Sequence, residues 1–187
     1  MPLRKILFVG MPGAGKGRQA DLLIHHNFKQ ISTGDLIREA LERKDPLVMV
    51  YKSSIEKGGF LPDKEVFELI DKEIKGLGEV EGYVLDGAIR NKSQAEIALK
   101  EGLIEEVLFF DLNKEEAIER ISKRKESGGR KDDSSEVVIK RIEKYKRETE
   151  PIVNYLKEKK IPVYRIDASP SIEQIHKEVI RVLKLNE

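Results

Sequence analysis

Apolar positions along this chain fall into short unbroken runs, separated by stretches in which they recur every three or four residues. Strand-like runs occupy 5–9 (Lys-Ile-Leu-Phe-Val), 83–85, 107–110 and 163–166, with a short fifth at 28–31. A strand covered on one face alternates polar and apolar, whereas an unbroken run marks burial on both faces, as in parallel sheets. Helical spacing predicts helices at 33–43, 46–57, 64–75, 93–101, 114–125, 135–159 and 171–185. A further helical pattern follows the glycine-rich segment 10–17 and runs to about His25. Asp63 and Ser171 stand where helix caps belong, since their side-chain oxygens can accept from early helical N–H groups. Strands alternating with helices predict an α/β fold: one parallel sheet with helices on both faces.

Two segments break the alternation. Residues 32–62 read as two helices with no strand between them, ending in Gly58-Gly59; residues 126–135 are polar and hold Gly128-Gly129. Both are expected as insertions over the carboxyl edge of the sheet, where ligands bind in open α/β folds.

Composition narrows the classes. At 187 residues and 39% apolar, the chain can bury a core as one compact unit. Lys and Arg number 35 against 34 Asp and Glu, a net charge of +1. That balance argues against a nucleic-acid-coating surface, which carries a basic excess. No apolar run approaches the roughly 18 residues of a membrane span. The absence of cysteine excludes disulfides, thiolate zinc sites and cysteine nucleophiles. The amino terminus enters a strand-like run without a signal-peptide pattern, so a cytoplasmic protein is expected, with neither nucleic acid nor membrane as partner.

The chemistry begins at Gly10-Met11-Pro12-Gly13-Ala14-Gly15-Lys16, between a strand and a helix. Gly-x-x-x-x-Gly-Lys in that setting is a phosphate-binding loop. Glycines let backbone N–H groups close around phosphate oxygens; the helix N-terminus adds partial positive charge and Lys16 a full one. The Ser or Thr that commonly follows the lysine, and ligates Mg²⁺, is replaced by Gly17. Metal must therefore be held by another residue.

With its Gly-Lys-Gly loop the chain resembles the adenylate kinases, within the nucleoside monophosphate kinases. Four ordered segments carry the resemblance: 10–17; Ser32-Thr33-Gly34-Asp35-Leu36-Ile37-Arg38; Asp86-Gly87-Ala88-Ile89-Arg90 with Gln94; and Gly129-Arg130-Lys131-Asp132-Asp133 with Arg141. It implies a P-loop NTPase-type five-stranded parallel sheet, with a core at 1–31, 63–125 and 136–187. It further implies a helical monophosphate-binding insertion at 32–62 and a short lid at 126–135. The implied reaction is reversible, Mg²⁺-dependent phosphoryl transfer from ATP to AMP giving two ADP, by a monomer.

In-line phosphoryl transfer needs positioning and charge neutralisation more than covalent help, and arginine forks suit phosphate. No nucleophile–base pair is evident; His25, His26 and His176 read as surface or packing residues. By resemblance, the catalytic cations are Lys16, Arg90, Arg124, Arg130 and Arg141. ATP falls to Gly13, Ala14, Gly15, Lys16, Gly17, Arg18, Arg120, Arg124 and Pro170, with Arg120 over the adenine. AMP falls to Thr33, Arg38, Gly59, Phe60, Leu61, Gly87, Arg90, Gln94, Arg130 and Arg141. Asp86 would hold Mg²⁺ through water, and Asp132 and Asp133 would pair with arginines in the lid.

Thr33 and Gln94 favour AMP over UMP or CMP, because a glutamine amide offers both donor and acceptor to an adenine edge. A pyrimidine acceptor and a nucleotide-binding module of weak turnover stand as alternatives. Two positions depart from the family pattern. Arg18 replaces a threonine, and Ala88-Ile89 replaces Phe-Pro, so a trans peptide is expected before Ile89, a cis non-proline bond costing about 2.5–4 kcal/mol.

Overall fold

A computed structural model describes residues 3–56, 61–126 and 135–186. Five parallel strands form one sheet: β1 (Arg4–Gly10), β2 (Phe28–Ser32), β3 (Gly82–Asp86), β4 (Glu106–Asp111) and β5 (Val163–Asp167), in the order β2-β3-β1-β4-β5. All five expected strands are present, each within about a residue of its sequence-read bounds. β1 lies at the centre, which is why its run is unbroken: Ile6 and Leu7 are fully buried, and the Phe8 ring packs on Phe110 at 4.8 Å between centroids. The edge strands β2 and β5 are shorter and expose charged side chains such as Lys29 and Arg165, which discourages edge-to-edge pairing.

The helices are α1 (Lys16–Leu23), α2 (Thr33–Glu42), α3 (Pro46–Met49), α4 (Lys52–Glu56), α5 (Asp63–Lys75), α6 (Lys92–Lys100), α7 (Lys114–Glu126), α8 (Ser135–Lys144), α9 (Glu150–Glu158) and α10 (Ile172–Leu183). Ser171 caps α10 in a reciprocal box with Gln174, as its position predicts.

Three expectations need correction. The helix expected at 46–57 is two short ones, α3 and α4. The chain turns at Val50–Tyr51, where the Tyr51 hydroxyl reaches Glu65 on α5 at 3.0 Å and Val48 is fully buried. The helix expected at 135–159 is interrupted by a π-helical turn, Tyr145–Thr149. Pro151 follows it and lacks the N–H that an α-helix would bond four residues back, so the backbone widens there. Finally, Asp63 is not a cap: Pro62 occupies that position without a side-chain bond, and the Asp63 carboxylate turns to another partner.

The order of strands decides where chemistry can occur. β1 and β3 are neighbours in register, Phe8 opposite Asp86, yet their chains leave the sheet in different connections. Their adjacent carboxyl ends form the switch-point crevice of an open α/β sheet.

Candidate active site

The loop after β1 is shaped by its glycines. Gly13 has φ +88°, and a Cβ there would stand 2.7 Å from the Ala117 carbonyl of α7. Backbone conformation and close packing against α7 therefore both demand glycine. Gly15 caps α1 with φ +81°, leaving the first N–H groups of α1 without a side-chain cap. The Lys16 ammonium donates to the carbonyls of Gly10 at 2.7 Å and Met11 at 3.2 Å, which curls it over the loop.

Asp86 ends β3 beside this loop. A Cβ built on Gly17 would lie 3.6 Å from Asp86 Oδ2, so the position that carries a hydroxyl in other phosphate loops faces the carboxylate directly. Gln30 donates to the same oxygen at 3.4 Å. No group of three or more metal-ligating side chains gathers among the described residues. One carboxylate beside a phosphate loop suits Mg²⁺, which keeps waters and takes nucleotide oxygens for the rest of its shell. The residues fit that ion.

The segment after β3 is tied into a continuous network. The Gly87 carbonyl accepts from the Thr33 hydroxyl and from Arg90 Nε, both at 2.8 Å. Arg90 N–H donates to Gln94 Oε1 at 2.7 Å, and Gln94 Nε2 donates to Asp63 Oδ1 at 2.7 Å. Asn91 caps α6 by accepting from Gln94 N–H, and Thr149 in the π-helical turn donates to the Arg90 carbonyl at 2.8 Å. Thr33 and Gln94 are buried. Burial lowers the Arg90 pKa most; Asp86 opposes that shift and Arg141 adds to it. Arg90 remains a cation, in electrostatic reach of Asp86 and of Arg141 on α8. The Ala88–Ile89 peptide is trans, as expected.

A cavity of about 70 Å³ lies against this network, lined by Leu61, Asp63, Arg90, Gln94, Lys144 and Glu148. Across the sheet, Arg120 on α7 donates to the Ser169 carbonyl at 2.8 Å, next to Pro170. Arg124 follows one turn later on α7, half-buried, and α7 packs against α8, which carries Arg141. Arg18 is exposed on α1, and its charge contributes to lowering the pKa of Glu173 in the first turn of α10. That charge acts at the start of α10.

The structure thus brings Thr33, Gly87, Arg90 and Gln94 into one network, and Arg120 and Pro170 into one corner. Arg38 does not join the first group: it pairs with Asp35 on its own helix, both about half exposed. Gly59, Phe60, Arg130, Asp132 and Asp133 lie outside the described residues.

Sequence reasoning passed over Gln30, Asn91 and Thr149, which support the site, and read Asp63 only as a helix cap. It also missed Gln19, 1% exposed, which joins α1 to the Ile172 carbonyl and to His176 on α10. A polar residue on the buried face of α1, beside Ala20 and Leu23, was the available signal.

A glycine loop closing one strand and a carboxylate–arginine pair closing its neighbour define a nucleotide-handling protein of the P-loop class. Sequence comparison narrows this further. The family model for adenylate kinase matches residues 8–161. The adenylate kinase of Thermus thermophilus is 35% identical over 178 residues, covering 91% of this chain and 92% of that protein. Adenylate kinase 1 of a Nostoc species is 32% identical, covering 95% and 97%. The adenylate kinase of Prochlorococcus marinus is 34% identical, covering 94% and 96%. The chain belongs to the adenylate kinase family, a family of nucleotide-binding phosphotransferases. Among the described residues no helix is long and apolar enough to cross a membrane.

Proposed function

We propose that this chain transfers a phosphoryl group reversibly from ATP to AMP, giving two ADP, with donor and acceptor meeting over the carboxyl ends of β1 and β3. The observation that carries the reading is the pairing of Phe8 with Asp86, which sets the phosphate loop beside the Asp86–Arg90 segment.

The N–H groups of the 10–17 loop and the start of α1 cradle the donor's phosphates, and Lys16 exchanges its loop carbonyls for phosphate oxygens. Arg120, with Pro170 nearby, flanks the donor base, and Arg18 adds positive charge at that end. Arg90, already aimed by Gly87 and Thr149, binds the acceptor phosphate with Arg38, which must leave Asp35 to do so. Arg141 and Arg124 bring their charge to the transferring group from the packed pair α7–α8. Fixed cations of this sort offset the charge on the equatorial oxygens without reorganising during transfer. Asp86, oriented by Gln30 and faced by Gly17, would hold Mg²⁺ through water. Bound there, the ion would neutralise charge on the donor phosphates. Thr33 and Gln94 face the acceptor base, with Leu61, Gly59 and Phe60 as its wall. The parts assigned to Arg130, Asp132 and Asp133 rest on the family resemblance. A monomer working in the cytoplasm belongs to the same reading.

The test is ADP production from ATP and Mg²⁺ with AMP, CMP, UMP and GMP compared as acceptors. AMP is expected to be fastest. CMP turnover equal to or above that of AMP would overturn the assignment of the acceptor.

A further inference from the structure

Gln94 is 7% exposed and lies between two partners of opposite kind. The Arg90 main-chain N–H can donate and never accept, and it meets Oε1 at 2.7 Å. The Asp63 carboxylate can accept and, when ionised, never donate, and it meets Nε2 at 2.7 Å. Turning the amide over would set N–H against N–H and oxygen against oxygen. Its orientation is therefore dictated by chemistry, whichever way the two amide atoms are first assigned. Each amide atom keeps one unused valence: a second N–H on Nε2 and a second lone pair on Oε1.

Both partners are placed by the fold. Arg90 is held through its Nε by Gly87 and through its carbonyl by Thr149. Asp63 is the first residue of a 13-residue helix, α5, where a carboxylate is favoured by the helix dipole. It makes no capping bond to α5, so its carboxylate is available to serve Gln94. Asp63, Arg90 and Gln94 line one cavity, closed by the buried Leu61.

From this we propose that Asp63 is a positioning residue: it sets which way round the Gln94 amide meets the acceptor base, and so selects bases with an exocyclic amino group beside an unprotonated ring nitrogen. Adenine and cytosine present a donor and then an acceptor along that edge. Hypoxanthine, guanine and uracil present an acceptor and then a donor. An amide free to turn would serve both classes equally. One held by Arg90 and Asp63 complements the first class and opposes the second. The inference rests on the reading that Gln94 faces the acceptor base.

Inosine monophosphate is the sharpest probe, since it differs from AMP in these two edge atoms. The measurement is kcat/KM for AMP and for IMP, with KM for ATP and Tm alongside, in wild type, Gln94→Leu, Asp63→Ala and Asp63→Asn. Asp63→Ala is expected to narrow the AMP:IMP ratio by about tenfold, through KM of the acceptor and with KM for ATP unchanged. Asp63→Asn, whose own amide can turn to meet either face of Gln94, should narrow it by about threefold. Should the alanine variant fail to fold, the asparagine variant decides alone. An AMP:IMP ratio equal to wild type in a folded Asp63 variant, with both acceptors slowed alike, is a purely structural role and overturns the proposal. If Gln94→Leu also leaves the ratio intact, the reading of Gln94 as base-facing fails as well. If Gln94→Leu collapses the ratio while the Asp63 variants keep it, the assignment of Asp63 alone fails.

Discussion

The two halves of the crevice are built differently. On the side proposed for the acceptor, Thr33, Gly87, Arg90, Gln94 and Asp63 bind one another before any nucleotide is considered, and two of the five are buried. On the side proposed for the donor, a glycine loop offers backbone N–H groups, and arginines stand on the neighbouring helices: Arg18, exposed on α1, and Arg120, partly buried on α7. Under the proposed assignment, the difference follows from what each side must read. Phosphates are alike in all nucleotides and need charge, which tolerates a mobile ammonium. A base edge is read by direction, and direction requires side chains whose rotation has been taken away by neighbours.

If this contrast is right, replacing a donor-side cation should lose rate without losing stability, and replacing a member of the acceptor-side network should lose both. The largest effect is expected from Lys16→Met: a fall in kcat of about a thousandfold, with Tm nearly unchanged, read by a coupled ADP assay and calorimetry. Arg90→Lys should lower kcat/KM for AMP by about a hundredfold, because the ammonium cannot reproduce both the Nε–Gly87 bond and a two-point phosphate contact. Its Tm should fall too, since Gly87 loses one of its two donors; an unchanged Tm would show the network to be decorative.

Gly13→Ala tests the donor loop as structure. The Cβ would meet the Ala117 carbonyl at 2.7 Å with φ at +88°, and a cost of about 2 kcal/mol is expected, visible as a lowered denaturation midpoint. Thr33→Ala removes one hydroxyl from Gly87 and should cost about 1 kcal/mol, with AMP selectivity over CMP reduced.

The smallest effect belongs to His176, remote from either base. Burial lowers its pKa from 6.5, and the charges of His26 and His25 push in the same direction. The unfolded chain then takes up the proton more readily than the folded one. Stability is full above pH 6.5, declines as pH falls below that value, and levels off once the folded-state pKa is passed. The bond to Gln19 is consistent with a proton on Nδ1, because Gln19 Nε2 is committed to Ile172 and its oxygen must accept. His176→Gln should flatten the decline, measured as Tm against pH.

Much of this architecture could be read in advance, for local reasons. An unbroken apolar run such as Ile6–Leu7–Phe8–Val9 has no other home than a strand covered on both faces, and Gly13 and Gly15 are needed by backbone conformation alone. Thr33 and Arg90 stood out because they sit in segments resembling a family. Asp63 shows where local reading fails. One residue after a proline, at a helix start, a carboxylate reads as a cap; its partner lies 31 positions away on α6. The single helix expected at 135–159 missed a local signal instead: Pro151 lacks the N–H an α-helix would bond, and the π-helical turn before it carries Thr149 to the Arg90 carbonyl.

The amino-acid sequence by itself determined the strands, the phosphate loop and the family, because each depends on neighbours along the chain: side-chain period, backbone freedom, motif spacing. Tertiary structure alone decided the order β2-β3-β1-β4-β5, the alignment of Phe8 with Asp86 and the orientation of Gln94. Those depend on which distant groups arrive within hydrogen-bond reach, and a bond of 2.7 Å between residues on separate helices is settled only when the sheet has placed both.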